Sequence, residues 1–124
     1  MNVLKKLLFF SMSFFLVTMS GCGQPTYTYK GEGDDWEGTY VSNQTKNTEN
    51  GEFRFGYTGE GEVGKLDYKI ISHSGENSGH IVVDGKTFTH STGCSGCAKP
   101  GEHDEFQVVI EWDAKKDEFT LKRK

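Results

Sequence analysis

The sequence predicts an all-β fold: an antiparallel β-sandwich, or a small barrel, of about seven to eight strands behind an N-terminal lipoprotein signal peptide. Three observations predict it. The 124 residues include 16 glycines but only 2 prolines, and the glycines are spread between aromatic and β-branched residues. That is the composition of short strands joined by tight turns. Apolar residues recur at every second position in several windows, the period of a strand with one buried face. No stretch carries the period of a long amphipathic helix, and no repeat of about 20–50 residues is visible.

Lys5 and Lys6 precede an apolar run over residues 7–19. The run is too short for a bilayer, which needs about 20 residues, and suits a secretion signal. Met19-Ser20-Gly21-Cys22 follows. Small side chains before a cysteine are what a lipoprotein signal peptidase accepts, so Cys22 is the expected lipidation site and the new N-terminus. Each buried methylene of an acyl chain contributes about 0.8 kcal/mol, so two or three chains anchor firmly. The expected organisation is a signal peptide over residues 1–21, a lipidated tether over 22–25, and one β-domain over 26–124.

Within the domain, residues 27–30 are expected as a first strand, followed by the acidic turn 31–35. In 36–42, Trp36, Gly38 and Tyr40 alternate with Glu37, Thr39 and Val41. The polar stretch 43–50, NQTKNTEN, is expected as a loop. Phe53, Phe55 and Tyr57 resume the alternation, and Leu66, Tyr68 and Ile70 repeat it. Residues 81–83 and 86–89 flank Asp84-Gly85, the pair that favours a type I′ turn, so a hairpin is expected there. Phe106, Val108, Ile110 and Trp112 form the longest clean alternation. Residues 114–116 are expected to turn the chain, and Phe119 and Leu121 return it. Burying each large apolar side chain of this last hairpin contributes about 1.5–3 kcal/mol.

Charge excludes one class of partner. Loss of Lys5 and Lys6 with the signal takes the formal charge from −4 to −6. Nucleic acid needs a basic footprint and is not expected. The basic end, Lys122-Arg123-Lys124, reads as a solvated tail. The expected partners are the membrane, through the lipid anchor, and an unidentified protein or envelope ligand.

The stretch HSTGCSGCAKPGEH, residues 90–103, carries the candidate chemistry. With Cys22 lipidated, Cys94 and Cys97 remain as an even pair in an oxidising compartment. A disulfide between them would be a local staple of small stabilising effect, because the closed loop is short. A metal site is the alternative: His90, Cys94, Cys97 and His103 supply two thiolates and two imidazoles for zinc or copper. Thiol redox chemistry is a third reading, but residues 99–101, Lys-Pro-Gly, preclude the helix that would acidify the first thiol. Otherwise no cofactor is expected. The acidic turn with Glu32, Asp34, Asp35 and Glu37 lacks the register of a calcium loop. His90–Ser91 and Ser72–His73 are strand neighbours that point to opposite faces, so neither forms a catalytic dyad alone.

The segments YKGEGDDWEGTY and FQVVIEWDAKKDEFTLK, which carry Gly31, Glu32 and Trp36 and then Ile110, Trp112, Glu118 and Phe119, resemble the two ends of small uncharacterised lipoproteins of Gram-positive, Bacillus-like bacteria. The resemblance implies a membrane-anchored β-domain and no particular activity. The function expected from the sequence is a non-catalytic binding or structural module on the extracytoplasmic face of the cell membrane. The loop 92–103 is its expected functional surface. A metal-binding or thiol-redox lipoprotein is the alternative.

Overall fold

The computed structural model describes residues 26–96 and 99–124. The expected signal peptide, the tether with Cys22, and Cys97 lie outside the described residues. Eight strands follow in order: β1 (Thr26–Glu32), β2 (Trp36–Gln44), β3 (Thr48–Tyr57), β4 (Gly64–Ser72), β5 (Gly75–Val83), β6 (Thr87–Ser95), β7 (Glu105–Trp112) and β8 (Lys115–Arg123). All pairings are antiparallel, and the strands form one sheet in the order β5-β4-β7-β8-β1-β2-β3-β6. The all-β antiparallel expectation holds, in its barrel-like form: the sheet curls until it is nearly closed. Across the seam, the Tyr68 hydroxyl of β4 meets His90 Nδ1 of β6 at 2.6 Å, and its ring packs on Phe88.

The inward rows follow from the alternation. Of the 18 buried hydrophobic residues, eleven are aromatic, so rings rather than aliphatic chains fill the interior. Trp36 stands at the centre of one end, edge-on to Trp112 at 5.8 Å and to Phe88 at 5.6 Å. With Tyr57 and Val63 it plugs that end. The same rim holds the β1–β2, β3–β4, β5–β6 and β7–β8 connections. The opposite rim holds the start of β1, the β2–β3, β4–β5 and β6–β7 connections, and the C-terminal residues.

Three turns depart from expectation. Asp84-Gly85 does turn the chain, with Gly85 at φ 88°. Its two arms, however, are not a hairpin: β5 pairs with β4 at one edge of the sheet, and β6 pairs with β3 at the other. Local φ preference sets a turn, but burial of Phe88 against Trp36, Phe55 and Tyr68 decides where β6 goes. The last hairpin turns at Asp113-Ala114, both at positive φ (45° and 58°), one residue earlier than the composition suggests. The polar stretch 43–50 is mostly strand, paired Asn43 to Asn50 and Gln44 to Glu49. The inward/outward alternation of β2 continues unbroken past Tyr40, with Ser42 and Gln44 buried in place of apolar residues.

The acidic turn between β1 and β2 is organised by a carboxylate from the far end of the chain. Asp117 of β8, 5 % exposed, accepts hydrogen bonds from the backbone N–H of Asp34 (3.2 Å), Asp35 (3.0 Å) and Trp36 (3.0 Å). The turn presents amides inward to an anion and its own carboxylates elsewhere, the reverse of a cation loop. Gly33 makes this possible, since a Cβ there would lie 2.6 Å from Asp117 Cγ.

Candidate functional site

The polar residues that interrupt the apolar rows gather at the rim opposite the Trp36 plug. Ser42 and Gln44 of β2 and Glu49 of β3 are buried beside Tyr40. Glu49, 8 % exposed, anchors the cluster. The Tyr40 hydroxyl donates to Glu49 Oε1 in a short hydrogen bond. The Ser42 hydroxyl donates to the same oxygen at 2.8 Å. Gln44 Nε2 donates to Ser42 Oγ at 3.1 Å and to the Pro100 carbonyl at 2.8 Å, tying the cluster to the β6–β7 loop. Because the single tyrosine proton goes to Glu49, Thr92 of β6 is the donor in its 3.2 Å contact with Tyr40 Oη. Burial, and then the bond to Glu49, push the Tyr40 hydroxyl well above the ordinary tyrosine range, so it stays a donor.

Two backbone features make room for this arrangement. Gly51 lies beneath the Tyr40 ring, where a Cβ would sit 2.5 Å from Tyr40 Cζ. The loop after β6 is pinned over the rim: the Tyr29 hydroxyl donates to the Gly101 carbonyl at 2.6 Å, and Asp104 accepts from the Gly101 N–H. Asp104 also faces His73 Nδ1 at 3.1 Å, joining the β4–β5 turn to the same loop.

These groups border a cavity of about 630 Å³ at the mouth of the barrel. Its floor is the ring cluster of Tyr40, Phe53 and Phe106; Tyr40 stacks on Phe53 at 4.0 Å, and Phe106 stands edge-on to both. Its walls carry Glu49, Asn77, His90, Thr92, Cys94 and Asp104. Glu49 Oε1 takes both donors, the Tyr40 and Ser42 hydroxyls, while Oε2 makes no hydrogen bond among the described residues. An aromatic floor bordered by a buried carboxylate is the most developed site in the described residues.

His90 lies on β6 and lines the cavity, with Nδ1 committed to the Tyr68 hydroxyl. Cys94 lies on β6 opposite Glu49 and also lines the cavity. His103 is exposed on the β6–β7 loop. Cys97 and Cys22 lie outside the described residues. Among the described residues, no group of three or more His, Cys, Asp or Glu side chains gathers around one point that a metal ion would occupy. Of the stretch 92–103, residues 92–95 belong to β6 rather than to a loop. Glu49, Ser42, Gln44 and Asp117 were not singled out by motif. Their signal was register: each stands at an inward position of a strand, where a polar side chain needs a partner.

Comparison of the chain with family models, with curated proteins and with solved structures finds no match.

Proposed function

We propose that this protein is a membrane-anchored extracytoplasmic lipoprotein whose barrel is a non-catalytic binding module, with the cavity at the mouth as its ligand site. The observation that carries the binding reading is the cavity of about 630 Å³ lined by the buried Glu49 carboxylate and an aromatic floor of Tyr40, Phe53 and Phe106. Pockets of about 300–1,000 Å³ with few, well-placed polar groups suit small molecules. The anchor reading is supported by the order of Lys5 and Lys6, the apolar run 7–19 and Met19-Ser20-Gly21-Cys22. A Cys94–Cys97 disulfide belongs to the same proposal. It is supported by the even pair that Cys94 and Cys97 make once Cys22 carries lipid and by the oxidising compartment that export implies. Such a staple would hold the end of β6 and the loop that rims the cavity.

Two experiments test the proposal. Cells fed labelled palmitate should incorporate it into the wild type and not into C22A, and fractionation should move C22A out of the membrane. Wild-type protein that is unlabelled and cytosolic would end the anchor reading. A library of small soluble compounds, screened by saturation-transfer NMR against the full chain in detergent, should yield binders that are lost on T92W, which fills the cavity. Binders retained equally by T92W would remove the cavity from the proposal.

A further inference from the structure

The charge of the cavity names its ligand class, an inference that rests on the cavity being a ligand site. The residues lining it include the carboxylates of Glu49 and Asp104 and the imidazoles of His73 and His90, with no lysine or arginine; His73 pairs with Asp104, and His90 is bonded to Tyr68. The two carboxylates are not equivalent. Asp104 has one oxygen on His73 and the other on the Gly101 N–H. Glu49, which is buried and lines the cavity, has both of its donors on Oε1, and Oε2 makes no hydrogen bond among the described residues.

Each ligand charge has a different consequence there. An anion would meet a buried carboxylate at close range and be repelled. A neutral ligand that displaced water from Oε2 would leave a buried charge without a partner, which is strongly unfavourable. A cation replaces the lost water with a charge-assisted contact. The floor adds apolar surface for the carbon atoms of such a ligand, since Tyr40, Phe53 and Phe106 line it. A bare divalent ion is disfavoured because calcium takes about six to eight oxygen ligands and magnesium an octahedral set. One open carboxylate oxygen beside three rings suits a cation that carries its own apolar skirt. We propose that the cavity binds a small organic cation, with an alkylammonium group at Glu49 Oε2 and its carbon atoms against Phe53 and Phe106.

The test uses the full chain in detergent, with choline, its uncharged carbon isostere dimethylbutanol, and acetate as probes. Binding is followed by titration calorimetry and by the side-chain resonances of His90 and Phe106. Choline is expected to bind at least about tenfold more tightly than dimethylbutanol, and acetate not to bind. E49Q should bring choline and dimethylbutanol to within about twofold of each other. N77K keeps Glu49 intact and changes an exposed edge position that borders the cavity. It should weaken choline through like-charge repulsion by about tenfold more than it weakens dimethylbutanol. This second variant stands even if E49Q fails to fold. Equal binding of choline and dimethylbutanol, both shifting His90, would overturn the charge inference while the cavity reading survives. Choline binding unaffected by N77K, and by a folded E49Q, would also overturn it. No response of His90 or Phe106 to any probe at about 100 mM, far weaker than the millimolar affinity of even small ligands, would overturn both readings.

Discussion

Replacing Asp117 tests how the two ends of the chain are joined. Its carboxylate takes the backbone N–H groups of Asp34, Asp35 and Trp36 at 3.0–3.2 Å, more than 80 residues away in sequence. In D117A, the Trp36 N–H is left buried without a partner, which costs about 1–3 kcal/mol. The other two donors are partly reached by water and lose about 0.5–1.5 kcal/mol each. Relief of the buried charge offsets part of this, so a loss of about 2–4 kcal/mol is expected. Against a domain stability of about 5–15 kcal/mol that is a large share. Urea unfolding followed by tryptophan fluorescence should show a lower midpoint with an unchanged slope. Gly33 supplies the control. G33A drives a methyl into Asp117 and should cost about 1–3 kcal/mol by overpacking. With Asp117 already truncated, the same methyl meets no carboxylate and reduces the entropy of the unfolded chain, so G33A becomes neutral or stabilising by about 0.4–1 kcal/mol. The double mutant should therefore be more stable than the sum of the single effects by about 2 kcal/mol. Additivity to within about 0.5 kcal/mol would refute the argument that this contact couples the two ends.

Three further outcomes are expected. Tyr40 keeps its proton in the folded chain beyond the ordinary value of 10.0; above that pH the unfolded chain binds fewer protons than the folded one, so stability falls as pH rises. Y40F should flatten the alkaline slope by up to about 1.4 kcal/mol per pH unit, with Tyr29 and Tyr68, also raised by burial, accounting for the slope that remains; chemical denaturation at a series of pH values measures it, and identical slopes in the two proteins would count against it. Ala114 sits at φ 58°, a conformation that costs a non-glycine residue about 1–2 kcal/mol, so A114G should gain about 0.5–1 kcal/mol net of the glycine entropy term. A raised Tm by circular dichroism would show the gain, and a lowered one would contradict the turn assignment. C94S should cost no more than about 2 kcal/mol if the proposed Cys94–Cys97 loop is the one closed, because so short a loop removes little unfolded-state entropy; a loss of about 4 kcal/mol in the urea midpoint would point to a partner much further away in sequence.

The apolar rows were legible because their alternation is local. Phe106, Val108, Ile110 and Trp112 identified β7 without any knowledge of its neighbours, and all four are buried as expected. The mouth of the barrel was not legible by the same signal. Ser42, Gln44 and Glu49 keep the inward register but carry polar side chains, so a test for buried apolar residues reads them as loop. What makes their burial tolerable is hydrogen bonding to one another, to Tyr40 and to Pro100, and Pro100 lies 56 residues beyond Gln44. Asp117 was hidden in the same way, in the inward row that continues to Phe119 and Leu121. The Asp84-Gly85 pair specifies a turn but not a hairpin, because turn chemistry does not say which strands its arms will join.

The directions of the strands have a spatial consequence for a tethered molecule. β1 starts on the same rim as the open mouth, and the chain ends there too, close to Lys46, Lys99 and Lys122. With acyl chains on Cys22, the four steps to Thr26 span at most about 14 Å. The domain would then stand with its opening downward, over the headgroups, and its tryptophan plug toward the outside. Whatever occupies the mouth would arrive along the thin aqueous layer beneath the protein, so supply would depend on the membrane surface more than on the bulk medium.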